Sequence, residues 1–544
     1  MHEGEKMKLN QKELANKEQW QKAGIVLPAF DREKVAAATR AKPTWVHFGA
    51  GNIFRAHPAM AQQKLLEEGI ADTGIIVAEG YDYEIIDAVF TPHDDLSLIV
   101  SLKADGGIEK TVVGSIVEAL KLEPGTADFQ RMREIFRAPS LQMASFTITE
   151  KGYNLTRGDT LLPDIEADFA AGPEKAVSYM GKIASLVYER YLAGKLPVSL
   201  VSMDNCSHNG DRLKAAVAAF AEKWCEAGLA EKGFHSYVAD ASKIGFPWSM
   251  IDKITPRPDE SVKKMLLDSG FEDVQTVVTA KQTYVAPFVN AEEIGYLIIE
   301  DAFPNGHPAL EKAGPAYRFT DRATVDKMEK MKVCTCLNPL HTALAIYGCL
   351  LGHTKISEEM KDADLRTLIE KMCYGESLAV VVDPGIVKPT DFLEEVLNVR
   401  FPNPFMPDTP QRIACDTSMK LPIRFGETIK AYHADPGKDA ASLKLVPLVL
   451  AGWCRYLSGI DDEGKAFEPS PDPMFAEVSA YLKGVKLGDK GPFGEKLKPI
   501  LSDARIFAVD LYKVGLGEKV ENYFAELVAG PGAIRKTLKK YLAD

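Results

Sequence analysis

Apolar residues gather in four short runs within the first part of the chain: 45–48 (WVHF), 74–78 (GIIVA), 143–149 (MASFTIT) and 198–203 (VSLVSM). Each is short, rich in apolar residues and stops at glycine or polar residues, which reads as a buried strand. The first ends in Gly49-Ala50-Gly51 and the second at Glu79. Between them Phe54, Ala59, Met60, Leu65 and Leu66 fall at helical spacing, which predicts a β–α–β unit with those side chains buried. Segments 96–103 and 111–117, joined by Asp105-Gly106-Gly107, predict a β-hairpin. The first forty residues or so read as a polar helical lead-in.

Past about residue 300 strand-like runs thin out and helical spacing dominates, as in HTALAIYGCLLG and LKLVPLVLAGWCRYLSG. The Pro-, Gly- and Ala-rich stretch 302–317 predicts a joint between two domains. The predicted architecture is an α/β dinucleotide-binding domain of the Rossmann type over residues 1–305, including the lead-in. A mostly α-helical domain for substrate and catalysis follows over 306–544.

Composition narrows the function. A formal net charge of −12 argues against a nucleic-acid backbone as the main partner, while leaving room for a locally basic pocket. No run of about 18 apolar residues stands out, and the polar N-terminal stretch lacks the apolar core of a secretory signal, so no membrane partner is expected. The eight cysteines form no Cys-x-x-Cys pair and sit mostly in apolar or helical contexts. They read as reduced, packed thiols, and the expected location is the cytoplasm. A monomer or small homo-oligomer is expected.

Gly49-x-Gly51, between a strand and a helix, is where backbone amides approach a pyrophosphate, with Asn52 opening the helix. Phe54 stands where a third fingerprint glycine is usual, and an ordinary tight βα turn is the other reading. Glu79, at the end of the second strand, is either a partner for the adenosine ribose diol, favouring NAD over NADP, or a solvated carboxylate.

Six segments in order carry a resemblance: FGAGNIFRAH (48–57), TITEKGY (147–153), SMDNCSHNG (202–210), FPWSMIDKITP (246–256), KVCTCLNPLH (332–341) and RIACDTSMKLPIR (412–424). Together they resemble the polyol-specific long-chain dehydrogenases, the mannitol dehydrogenase family. The resemblance implies a metal-independent oxidoreductase that uses NAD, or NADP, on a sugar alcohol or sugar acid. It makes Lys332 the general acid/base, with Glu329 on the proton path. Asn338 and Asn205 become donors to the developing alkoxide, and His341 an orienting partner. Asp252, Arg412 and Lys420 become substrate contacts. Taken alone, Asn338 and His341 read equally as a capping Asn and a packed His, and Arg412 with Lys420 as a solvated pair.

A metal-free base fits a lysine made less basic by burial and neighbouring cations. The zinc alternative has only Cys334, Cys336 and His341 to offer, short of a fourth ligand. The lysine spacing departs from the family pattern, which has four residues before the Asn; here Lys332 has five, VCTCL. At about 100° per residue, the added residue puts Lys332 nearly opposite His341 on a regular helix. A π-bulge or break between Lys332 and Asn338 is therefore predicted. Arg412, Lys420, Arg424 and Arg257 stand on matching segments and suit a substrate carboxylate. The substrate expected first is D-fructuronate/D-mannonate, with mannitol or tagaturonate as alternatives. A metal-dependent isomerase or epimerase on the same scaffold is the rival from another class.

Overall fold

A computed structural model of the chain describes residues 6–543. Residues 1–5 of the expected lead-in lie outside that span. The chain divides into two compact units: residues up to Lys103 with Gly107–Asp326, and Ala104–Gly106 with 327 onward.

The first unit is built on six parallel strands: β1 (Trp45–Phe48), β2 (Ile75–Glu79), β3 (Ile116–Lys121), β4 (Met143–Phe146), β5 (Val198–Ser202) and β6 (Ile244–Gly245). Their order across the sheet is β6-β5-β4-β1-β2-β3, so the chain reverses direction of growth between β1 and β4. Ligands of such sheets bind beyond the carboxyl ends of the strands at that reversal. Successive residues face opposite cores. Val46, Phe48, Ile76 and Ala78 join one apolar cluster, and Trp45, Ile75 and Val77 join the other. Both faces of the sheet are therefore buried, and His47, Ser145, Ser199 and Ser202 are among the polar residues buried on its strands.

The helix after Gly51 is two helices, α1 (Asn52–Ala56) and α2 (Pro58–Glu67). His57, at φ −133° and ψ −71°, breaks them where Pro58 has no amide to donate. Phe54, Ala59, Leu65 and Leu66 are buried as expected, whereas Met60 is only half-buried. The predicted hairpin forms from Ser97–Leu102 and Ile108–Val113, but the run 111–117 is not one strand. Gly114-Ser115 interrupts it, and Ile116 onward leaves for the parallel sheet as β3. The lead-in holds helices Lys17–Lys22 and Arg32–Ala41, together with a two-residue strand, Ile25–Val26, paired to Lys110 and Thr111.

Stretch 302–317 belongs to the first unit. Asn305 donates to the Leu141 carbonyl at 2.8 Å, Leu310 is buried, and Tyr317–Thr320 pairs in parallel with Tyr296–Glu300. The latter strand pairs antiparallel with β7 (Ser249–Asp252). Two further helices matter below: α3 (Tyr179–Leu192) and α4 (Asn209–Glu226).

The division between units falls within helix α5 (Arg322–Met331). The second unit is helical, centred on α6 (Asn338–Leu350) and α7 (Leu445–Tyr456). Both are apolar on nearly every side, as a helix surrounded by others must be. Arg322–Leu350 is long and apolar enough, by length and composition, to cross a membrane. However, 72% of its most apolar window is buried within the protein, as in a core helix.

Candidate active site

A cavity of about 540 Å³ lies beyond the carboxyl ends of β1, β2 and β4, entirely within the first unit, bordered by Gly49, Gly51 and Glu79 among others. Gly49 has φ +102°, and a Cβ there would stand 2.2 Å from the Thr147 carbonyl oxygen. No other residue fits. Gly51 has an ordinary φ of −81° and nothing within 4 Å of where its Cβ would be. Its bare backbone borders the cavity, as close approach to a diphosphate requires.

Asn52 and Phe54 do not border the cavity. The Asn52 side chain accepts from Arg55 at 2.8 Å. Phe54 is buried and stacks on His47, centroids 3.9 Å apart. In place of a third glycine it clamps the loop from beneath. His47 in turn contacts Ser145 and Thr147, so β1 and β4 are cross-linked by side chains just before the loop. Burial holds that imidazole well below its ordinary pKa, hence neutral.

Glu79 is buried rather than solvated. One carboxylate oxygen accepts from the Ala50 amide at 2.9 Å, the other from the amides of Tyr81 and Asp82. A carboxylate has about four acceptor sites, so room for one more hydrogen bond remains beside the cavity.

Asp204 was not singled out by the sequence. Its two oxygens accept from the amides of Ile148 and Thr149, and the Tyr153 hydroxyl donates to it as well. Thr149 has φ +64° and ψ +159°, a region nearly reserved for glycine. Asp204 is what holds this strained residue at the cavity wall. Asn205 follows on an exposed turn. That turn is tied to β7 by buried Asn209, which donates to the carbonyls of Asp204 and Ser249 and accepts from the Ser249 amide. Asp252, half-buried, ends β7. The segments bearing Asn205 and Asp252 are thus joined through one amide side chain. Arg257 lies with its guanidinium 4.3 Å from the centre of the Tyr284 ring.

In the second unit the extra residue before Asn338 is absorbed by a π-helix at Lys332–Cys336. The Leu337 amide donates to the Lys332 carbonyl at 3.1 Å, the i to i+5 bond of a wide turn. Leu337 then leaves helical geometry at φ −129°, and α6 starts at Asn338 with Pro339 in its first turn. Lys332 is 2% exposed, whereas Lys330 is exposed and Glu329 half-buried. Another π-helix, Pro422–Gly426, packs against the wide turn and carries Arg424.

His341 sits within this unit's charged cluster, its Nε2 3.6 Å from Asp408. Burial first, and then Arg424, Arg412 and Arg400, lower its pKa to about 4 against the opposing pull of Asp408. The ring is therefore neutral near pH 7, and its contact with Asp408 is no ion pair. Arg412 is paired with Asp408, and Arg424 donates to Thr342 on α6 at 2.5 Å. Lys420 donates to the carbonyls of Ile413 and Cys415, closing the short helix that carries Arg412. Burial and the neighbouring Arg424 make that ammonium less basic. Cys336 directs its thiol at the Pro389 carbonyl, and the Cys334 carbonyl accepts from Thr428.

Comparison with known proteins identifies the scaffold. The profile of the mannitol dehydrogenase Rossmann domain matches residues 43–312, and that of the mannitol dehydrogenase C-terminal domain matches 324–528. The chain is 52% identical to the D-mannonate oxidoreductase of Thermotoga maritima, covering 98% of this chain and 99% of the relative. It is 31% identical to a mannitol 2-dehydrogenase of Pyrenophora tritici-repentis, covering 90% and 81%. Among solved structures it matches Pseudomonas fluorescens mannitol 2-dehydrogenase in ternary complex with NAD and D-mannitol. The identity there is 25%, the TM-score 0.69, and 99% of this chain and 100% of that one are covered. With a Rossmann unit, a helical unit and relatives along almost its whole length, this chain belongs to the mannitol dehydrogenase family of nicotinamide-dependent oxidoreductases.

Proposed function

We propose that the chain interconverts D-mannonate and D-fructuronate, with NAD preferred over NADP. The observation that carries this reading is the 52% identity to D-mannonate oxidoreductase over nearly both full lengths. The cations around His341 support it, because Arg400, Arg412, Arg424 and Lys420 make a field suited to a substrate carboxylate. The first unit fits the cofactor: Gly51 leaves backbone bare to the cavity, and Glu79 keeps an acceptor site for a ribose hydroxyl while disfavouring a 2′-phosphate.

When bound, the nicotinamide supplies the acceptor for the hydride leaving the carbinol carbon. Lys332 takes the hydroxyl proton in oxidation and returns it in reduction, with Glu329, three residues earlier on the helix, passing it outward. The family resemblance gives Asn338 the role of a donor to the substrate oxygen as negative charge develops there, and it gives Asn205 the same role. His341, neutral, orients the same oxygen by a hydrogen bond. The resemblance likewise makes Asp252 an acceptor for a substrate hydroxyl, and within the second unit it makes Arg412 and Lys420 the partners of the carboxylate.

The test compares NADH-dependent reduction of D-fructuronate with that of D-fructose, which lacks the carboxylate. A kcat/KM preference of about 100-fold or more for fructuronate is expected, the scale of a charge-assisted pair lost. Equal turnover of fructose contradicts the reading. NADPH in place of NADH is expected to raise KM for the cofactor.

A further inference from the structure

The dinucleotide fingerprint draws on β1, β2 and the loop between them, yet the cavity has another wall. Tyr179 opens helix α3, where Ser178 caps the helix by accepting from the Gly181 amide. Tyr179 is among the residues that border the cavity. The ring also lies against the residue that follows Glu79: a Cβ at Gly80 would stand 2.6 Å from the Tyr179 ring. Glycine at 80 is what lets an aromatic ring lie across the end of β2. One turn along α3, buried Lys182 donates to the Gly80 carbonyl at 2.9 Å and to the Tyr83 hydroxyl at 3.1 Å. The first turn of α3 is thereby fastened to segment 79–83, the part of a Rossmann site that meets the adenosine half of a dinucleotide.

The Tyr179 hydroxyl is buried and has no hydrogen-bond partner among the described residues. A buried phenol oxygen in that state is unfavourable and uncommon. Elsewhere in this unit the buried tyrosine hydroxyls are satisfied: Tyr153 by Asp204 and Ser202, Tyr237 by Leu196, Tyr317 by His57. Burial, with Glu79 and Asp204 nearby, raises the Tyr179 pKa well above its ordinary value, so the group stays protonated and able to donate.

Building on the assignment of a nicotinamide dinucleotide to this cavity, we propose that the Tyr179 hydroxyl donates a hydrogen bond to an oxygen of the adenosine-diphosphate half of the bound cofactor. Gly80 and Lys182 position the ring for it. The phenylalanine variant separates this role from a packing role, since Tyr179→Phe keeps the ring and removes only the hydroxyl. Dissociation constants for NADH and for ADP are measured by calorimetric titration, and the ligand-free variant is melted beside the parent. Both ligands are expected to bind about 5- to 20-fold more weakly, the range for one hydrogen bond to a phosphate or ribose oxygen. The ligand-free variant is expected to melt at the parent temperature or above, because it sheds an unpaired buried hydroxyl. An NADH Kd within twofold of the parent, a loss for NADH that ADP does not share, or a lower melting temperature overturns the proposal. Failure of the parent itself to bind NADH would instead overturn the cofactor assignment on which the proposal rests.

Discussion

The two units secure their functional groups by opposite means. In the first, carboxylates are turned inward onto backbone: Glu79 accepts from three amides and Asp204 from two, and a ligand is offered bare glycine backbone. In the second, the helix itself is widened by one residue, and charged side chains crowd around a neutral imidazole. A backbone cradle is sensitive to shape, because one added methyl either collides with it or fills it. A charged cluster in a helical core is sensitive to protonation and to loss of a partner. Substitutions should therefore fail differently in the two places.

The largest effect is expected at Lys332. Lys332→Ala should lower kcat by about a thousandfold or more, the scale of a lost general base, while the NADH Kd stays within twofold. Wild-type turnover in that variant would remove Lys332 from the chemistry. Next comes Gly49→Ala, where overlap with the Thr147 carbonyl and a positive φ combine. A loss of about 3 kcal/mol or more is expected in denaturant unfolding, and a variant as stable as the parent would mean the loop has another conformation open to it.

A third prediction uses charge alone. Glu359 is fully buried beneath α6 against the backbone of Gly348, and neither carboxyl oxygen has a hydrogen-bond partner among the described residues. Burial, aided by Asp362, raises its pKa from 4.5 to about 9. The folded protein thus holds a proton that the unfolded chain releases, so stability falls as pH rises between those two values. Glu359→Gln is never charged. It should nearly match the parent at pH 5 and exceed it by about 2 kcal/mol or more at pH 8. An unchanged difference across that range would mean the carboxyl is not buried as described.

The smallest effect sharpens the contrast with Gly49. Gly51→Ala meets nothing within 4 Å. Its melting temperature should stay near the parent's while NADH binds about 10-fold more weakly, as a methyl fills the place of close approach. Loss of stability without loss of affinity would reverse the roles of the two glycines.

Much of this was legible in the sequence because it rests on local periodicity. Apolar-rich runs marked four of the six parallel strands, and against the spacing of the resembled family the one added residue between Lys332 and Asn338 pointed to the wide turn. Other features escaped for a common reason. Run 111–117 looks like one strand because both sheets it serves want apolar residues; only tertiary pairing separates them at Gly114-Ser115. Asp204 sits in a polar tail among other candidates, and nothing nearby in sequence tells that it will grip Ile148 and Thr149. Glu79 read equally well as solvated, since the amides that bury it are supplied by a turn and by the glycine loop. Tyr179 opens a largely buried helix, and its meaning comes from Gly80, far away along the chain.

The most direct test follows the hydride itself. NADH carrying deuterium at the transferable position is incubated with D-fructuronate and the enzyme, and the product is examined by NMR and mass spectrometry. The account predicts D-mannonate bearing one deuterium on the former carbonyl carbon, with one NADH consumed per product. A rearranged sugar acid without deuterium, formed while NADH persists, would contradict it and point to isomerase chemistry on this scaffold.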